Sequence, residues 1–214
     1  MVTNPQSGTG KTVVSLTLAA TFGRLRKVPV LAWDLSGTHR TRGGSADPPD
    51  ADFDVLSADD LLAARLTSSK SYVSLSRRLA QDYDVLLLDT GNDVTAPGWR
   101  AASSIADHLV VPTTLRPEGV DAGLRTLKYL APLNLSSAAR SAIAVICCTD
   151  PDTGSDTVER IAERYRPYVR DVVVIPFDES LRGGETVAYD ELGAPAQGAY
   201  LELAAAVVRA SHTD

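Results

Sequence analysis

Five short runs constrain this chain most, because each is apolar toward both faces: Val28–Trp33, Val85–Leu88, Leu109–Pro112, Ala142–Cys148 and Val172–Ile175. A strand with one side in water alternates apolar and polar residues, so uninterrupted runs belong to a sheet covered on both faces, as parallel sheets are. Between the runs, apolar residues recur at steps of three or four. They do so at Val120, Leu124, Leu127 and Ala131, at Val158, Ile161, Ala162 and Tyr165, and at Ala199, Tyr200, Leu203 and Val207. That spacing predicts amphipathic helices. The alternation predicts an α/β fold: a doubly wound, mainly parallel sheet with helices on both faces, right-handed crossovers and ligands at the carboxyl ends of the strands. With 214 residues, no internal repeat and no Pro/Ser linker, the expectation is one domain over residues 1–214.

Several classes are excluded. At 44% hydrophobic and 22% charged residues the chain is neither a disordered tail nor a coiled coil. Its net charge of −6 provides no global field to attract nucleic acid or anionic lipid, so any such contact must be local. The longest apolar stretch, Ala142–Cys148, is far short of the ~20 residues of a membrane span. Lys11 and the apolar residues after it imitate a signal peptide, but Ser15 and Thr17 interrupt them. Cys147 and Cys148 are neighbours and cannot form a disulfide framework, so the expected compartment is a reducing cytoplasm.

The sharpest motif is Ser7-Gly8-Thr9-Gly10-Lys11-Thr12, directly before a predicted helix at about Thr12–Phe22. Glycines let backbone N–H groups curl around an anion, and the helix points its positive end at the same place. Lys11 is expected at the β/γ-phosphates and the Thr12 hydroxyl on Mg²⁺. The strict G-x-x-x-x-G-K-[ST] pattern is broken at Pro5, where it requires glycine. Asp34 and Asp89 each follow an apolar run and are therefore expected at strand ends, where ligands bind. Asp89 reads as a carboxylate supporting the metal. Leu35–Asp52 is rich in Gly, Thr, Arg and Pro without an apolar period, and is read as a mobile switch loop.

Together, Asn4–Thr12, Leu31-Ala32-Trp33-Asp34, Leu88-Asp89-Thr90-Gly91-Asn92, Val174-Ile175-Pro176 and a closing helix at Gln197–Val208 resemble the ParA/MinD family of deviant P-loop ATPases. The resemblance covers nearly the whole chain and is closest to ParA-like proteins of high-GC bacteria. It implies a SIMIBI-like P-loop NTPase that binds ATP or ADP with Mg²⁺ and acts as a nucleotide-dependent switch in plasmid or chromosome partitioning or a related positioning system. On this basis Ser7, Gly8, Thr9, Gly10, Lys11, Thr12 and Pro176 bind nucleotide. Thr12, Asp34 and Asp89 serve the metal, and Lys11 and Asp34 serve catalysis. The partners implied are a second copy of the chain, a ParB-like protein and nonspecific DNA.

The chain departs from the pattern at Gln6, which aligns with the family's signature lysine, and at Ser36, which aligns with a second acidic residue tied to hydrolysis. The first strand is confined to Met1-Val2-Thr3, and the helix after the first switch is shortened into residues 35–52. Hydrolysis is therefore expected to be weak or partner-dependent. The alternatives are a non-hydrolysing scaffold or regulator, and a small-molecule kinase or ligase on the same scaffold. His39-Arg40-Thr41-Arg42 and the arginines at 160, 164, 166 and 170 are candidate DNA or phosphate contacts, more simply read as a polar loop and a salt-bridged surface. His108 and His212 lack ligand-spaced partners, so no zinc site is expected.

Overall fold

A computed structural model describes residues 1–35, 53–56, 66–130, 138, 141–182 and 189–211. The strands are β1 (Val30–Asp34), β2 (Asp54–Leu56), β3 (Val85–Asp89), β4 (Val110–Thr113), β5 (Ile143–Cys147) and β6 (Asp171–Ile175). The helices are α1 (Lys11–Arg26), α2 (Ser69–Leu79), α3 (Pro97–Ile105), α4 (Pro117–Leu130), α5 (Ser155–Tyr165) and α6 (Ala194–Ser211). All strand pairs are parallel, in the orders β2-β1-β3 and β4-β5-β6.

Residues 1–3 join the two halves. Val2 bridges Asp89 on one side and Val110 on the other, both in parallel sense. The Val2 N–H donates to the Leu88 carbonyl and the Thr3 N–H to the Val110 carbonyl, both at 2.9 Å. The sheet thus reads β2-β1-β3, residues 1–3, β4-β5-β6. From its centre the chain leaves through α1 toward β1, whereas β3 leads through α3 to β4. This reversal is the switch point at which open α/β sheets bind ligands.

Alternation along each strand builds two cores. Val30, Ala32, Ile143 and Val145 pack with α1 and α6, whereas Trp33, Ala144 and Ile146 pack with the helices of the other face. The predicted cover on both faces is present, including a closing helix longer than expected. Beneath the sheet, at the amino ends of the strands, lies a cavity of about 1080 Å³ lined by Met1, Leu18, Phe22, Leu86 and Ile105 among others. It continues the line of residues 1–3 between β3 and β4. Among the described residues no helix is long and apolar enough to cross a membrane. The expected switch loop lies outside the described residues except for Leu35, and His39, Arg40, Arg42, Ser36 and His212 share that status.

Candidate functional site

The loop of residues 4–10 rises from the central strand position and turns into α1. Gly8 and Gly10 adopt φ of 72° and 88°, a left-handed conformation that side chains disfavour, which is why glycine stands there. Gly10 occupies the N-cap of α1, and no acidic residue sits in the first helical turn. The helix itself brings no acidic side chain to its positive end, which favours an anion there.

Asn4 fixes the loop's entry. It is fully buried, and its Nδ2 donates to the carbonyls of Pro112 at 2.9 Å and Gly119 at 3.0 Å. Its Oδ1 accepts the Gln6 N–H at 3.0 Å. The Gln6 carbonyl accepts from Thr9 Oγ1 at 3.2 Å and from Lys11 Nζ at 3.0 Å. Lys11 Nζ also donates to Asn92 Oδ1 at 2.8 Å. Burial lowers the Lys11 pKa, and the nearby Asp89 charge opposes that shift. Sequence reasoning gave Asn4 and Asn92 no role of their own, since the acceptors of Asn4 Nδ2 and the Lys11 partner of Asn92 lie on distant segments.

Asp34 and Asp89, the last residues of β1 and β3, are in register with one another and nearly buried. Thr12 Oγ1 donates to Asp89 Oδ2 at 2.6 Å. A hydroxyl and a carboxylate thus meet beside the loop, and Asp34 stands beside Asp89 at the end of the neighbouring strand. Among the described residues no group of three or more His, Cys, Asp or Glu could cage a metal. This donor set fits Mg²⁺, which prefers one or two protein oxygens plus water and phosphate to an all-protein cage.

Cys147 ends β5 and lies below the loop: a Cβ on Gly10 would stand 3.4 Å from its Sγ. Burial pushes that thiol up to about 12, so it is inert. Cys148 donates its N–H to the Ile175 carbonyl at 2.9 Å, which sets half-buried Pro176 at the same end of the sheet. All the sequence-predicted site residues thus lie at the carboxyl ends of the strands. The weaker candidates lie elsewhere: Arg164 pairs with Asp121 at 2.5 Å and Arg166 with Glu159 at 2.6 Å, while His108 Nδ1 contacts Ser141 Oγ at 3.0 Å.

Comparison with solved structures gives matches over almost the full length. A plasmid partition protein of Borrelia burgdorferi B31 bound to AMPPNP superposes with a TM-score of 0.70 at 14% identity, covering 97% of this chain and 96% of that one. The cell division protein MinD of Aquifex aeolicus gives 0.68 at 16% identity, with 97% and 95% covered. This chain has the fold of the ParA/MinD ATPases. The same fold serves other chemistry: cobyrinic acid a,c-diamide synthase of Mycobacterium smegmatis, with bound ADP and magnesium, gives 0.68 at 18% identity, with 99% and 94% covered. No protein-family model matches the sequence, and no curated protein matches it.

Proposed function

We propose that this protein is a ParA/MinD-like ATP- and ADP-binding switch that works with Mg²⁺ in partitioning or positioning, in the cytoplasm. The observation that carries the reading is the left-handed Gly8 and Gly10 loop, set before a helix that brings no acidic side chain to its positive end and flanked by Lys11 and the Thr12–Asp89 pair. Backbone N–H groups of residues 8–12 bind the phosphates, Lys11 supplies positive charge, and Pro176 borders the base. Thr12, Asp34 and Asp89 hold the metal, which when bound neutralises phosphate charge. Lys11 and Asp34 are the residues assigned to hydrolysis.

Turnover by the isolated chain is expected to be slow. Gln6 stands where the family carries lysine, its side chain is exposed, and its carbonyl is engaged by Lys11 and Thr9. A missing charge near a transferring phosphoryl group costs several kcal/mol of transition-state stabilisation. In this reading a ParB-like protein restores it; a second copy in a nucleotide-dependent dimer carries the same Gln6 and must draw on another cation, and nonspecific DNA is a further partner.

Calorimetric titration with Mg-ADP and Mg-ATP tests the proposal, alongside phosphate release with and without DNA. Binding that Lys11→Ala weakens at least tenfold, together with near-background release, is expected. No binding by the parent protein, or a Lys11→Ala variant equal to it, removes the reading. Binding with no hydrolysis under any partner condition leaves a nucleotide-regulated scaffold.

A further inference from the structure

We propose that Asn92 is a positioning residue for Lys11: its carboxamide oxygen holds the ammonium, and a bound phosphate competes with it. The inference rests on the nucleotide-binding reading above and names a regulator of that site. Lys11 Nζ has two neutral oxygen partners, the Gln6 carbonyl at 3.0 Å and Asn92 Oδ1 at 2.8 Å. Phosphate oxygens are charged acceptors and form stronger bonds to an ammonium than amide oxygens do, so ligand entry exchanges one set for the other.

Asn92 is well placed to report that exchange. It is exposed and lies three residues beyond Asp89, which already holds the Thr12 hydroxyl at 2.6 Å. One residue further on, Asp93 Oδ1 accepts the Thr95 N–H at 2.7 Å and its hydroxyl at 2.6 Å, and the Asp93 carbonyl accepts the Ala96 N–H at 3.2 Å, leading into α3. The segment from Asp89 to Ala96 is therefore tied to the phosphate loop through Thr12 and Lys11 and to the helix through Asp93. Releasing Asn92 loosens the first tie and leaves the second intact. Nucleotide affinity thus includes the opening of the Lys11–Asn92 bond.

The sign of a mutational effect decides the matter. Loss of a partly exposed hydrogen bond to a charged group shifts affinity by about three- to tenfold. Asn92→Ala is expected to bind ADP about three- to tenfold more tightly than the parent. Asn92→Asp, which pairs Lys11 with a carboxylate and repels phosphate, is expected to bind at least tenfold more weakly. A second measurement needs no nucleotide: acylation of Lys11 by an amine-reactive reagent, read by mass spectrometry against exposed Lys27 and Lys70. Labelling of Lys11 should rise in Asn92→Ala and fall in Asn92→Asp. If the parent binds ADP but Asn92→Ala binds equally or less tightly, Asn92 does not compete for Lys11 and this inference alone is overturned. A parent that binds no ADP overturns both readings, and unchanged Lys11 labelling in both variants refutes the contact itself.

Discussion

Gly123 on α4 sits under the hydroxyl of Tyr165 on α5, and replacing it with alanine tests how tightly the two helices lock. A methyl at Gly123 would overlap the Tyr165 hydroxyl and approach Val111 Cγ1 at 3.1 Å and Asn4 Nδ2 at 3.2 Å. Tyr165 is fully buried, its hydroxyl donates to the Val120 carbonyl at 3.0 Å, and burial raises its pKa to about 12. In an open helix Gly→Ala stabilises by about 1 kcal/mol. Here overpacking costs about 1–3 kcal/mol, and displacing a buried hydroxyl from its acceptor costs about 1–3 kcal/mol more. The net expectation is a loss of about 3 kcal/mol, or about 6–12 °C in Tm for a chain of this size. Tyr165→Phe alone should cost about 1 kcal/mol through the lost hydrogen bond. In the double variant the overlapping oxygen is gone, so the combined loss should fall well below the sum, with a coupling of about 1–2 kcal/mol. Urea unfolding of the four proteins measures it. Strict additivity would show that the clash is relieved elsewhere and that the reasoning about this contact is wrong.

Three further outcomes are expected. Gly10→Ala, at φ 88°, should lose about 1–2 kcal/mol to backbone strain, whereas Gly198→Ala, within α6 and with no atom near its missing Cβ, should gain up to about 1 kcal/mol; thermal melts of both check the contrast. The Met1 amine is lowered from 8.0 to about 5 chiefly by burial, with Asp107 opposing, so the unfolded chain takes up this proton before the folded one and stability should fall as pH drops from 8 toward 5. At full effect the loss is about 4 kcal/mol, and comparing the 214-residue chain with its Nα-acetylated form isolates it. Joining Val-Ile-Val to Met1 should lengthen the strand between β3 and β4 into the cavity beneath the sheet and raise Tm, while Asp-Pro-Asp should not; equal melting of the two would show that the cavity does not receive a strand.

The loop before α1 was legible because its glycines, lysine and threonine sit in one contiguous stretch, residues 7–12, and the structure places Gly8 and Gly10 in left-handed turns there with the helix beginning at Lys11. Asp34 and Asp89 were legible for a related reason: each closes a buried apolar run, and parallel pairing brings the two ends into register. Asn4 and Asn92 were not, because the carbonyls that accept from Asn4 Nδ2 lie over 100 residues away and Lys11 lies 81 residues from Asn92. The strand β2 escaped the apolar-run reading because its three residues are exposed or half-buried at the sheet edge. The first run was read from Val28, but the strand starts at Val30: Pro29 has no N–H for a ladder, and its carbonyl instead accepts the Asp84 N–H at 3.0 Å. The closing helix was placed at Gln197, yet it begins at Ala194, with Pro195 in its first turn, where proline is tolerated.

The contacts of the phosphate loop divide it into a fixed side and an exchangeable side. On the fixed side Asn4 spends both its Nδ2 hydrogens on β4 and α4 carbonyls, and Gly119 admits Thr9 so closely that a Cβ would stand 3.1 Å from Thr9 Cγ2 and 3.3 Å from Thr113 Oγ1. Those contacts use the Asn4 carboxamide and the Thr9 methyl and leave the backbone N–H groups of residues 8–12 out, so an anion held by those groups does not compete for them. On the other side, Lys11 and Thr12 are bonded to the end of β3 and the segment that follows it, Lys11 to Asn92 and Thr12 to Asp89. A charged phosphate competes with these bonds as an acceptor for the Lys11 ammonium. A ligand therefore acts differentially on the two flanks of the central strand, which is the condition for it to shift a conformational equilibrium rather than merely bind. The displacement should run toward α3 and leave α4 still. Amide hydrogen exchange that changes with ADP over residues 90–97 while residues 117–124 keep their protection is the expected pattern, and equal change on both flanks would mean that the Asn4 anchor does not hold the loop.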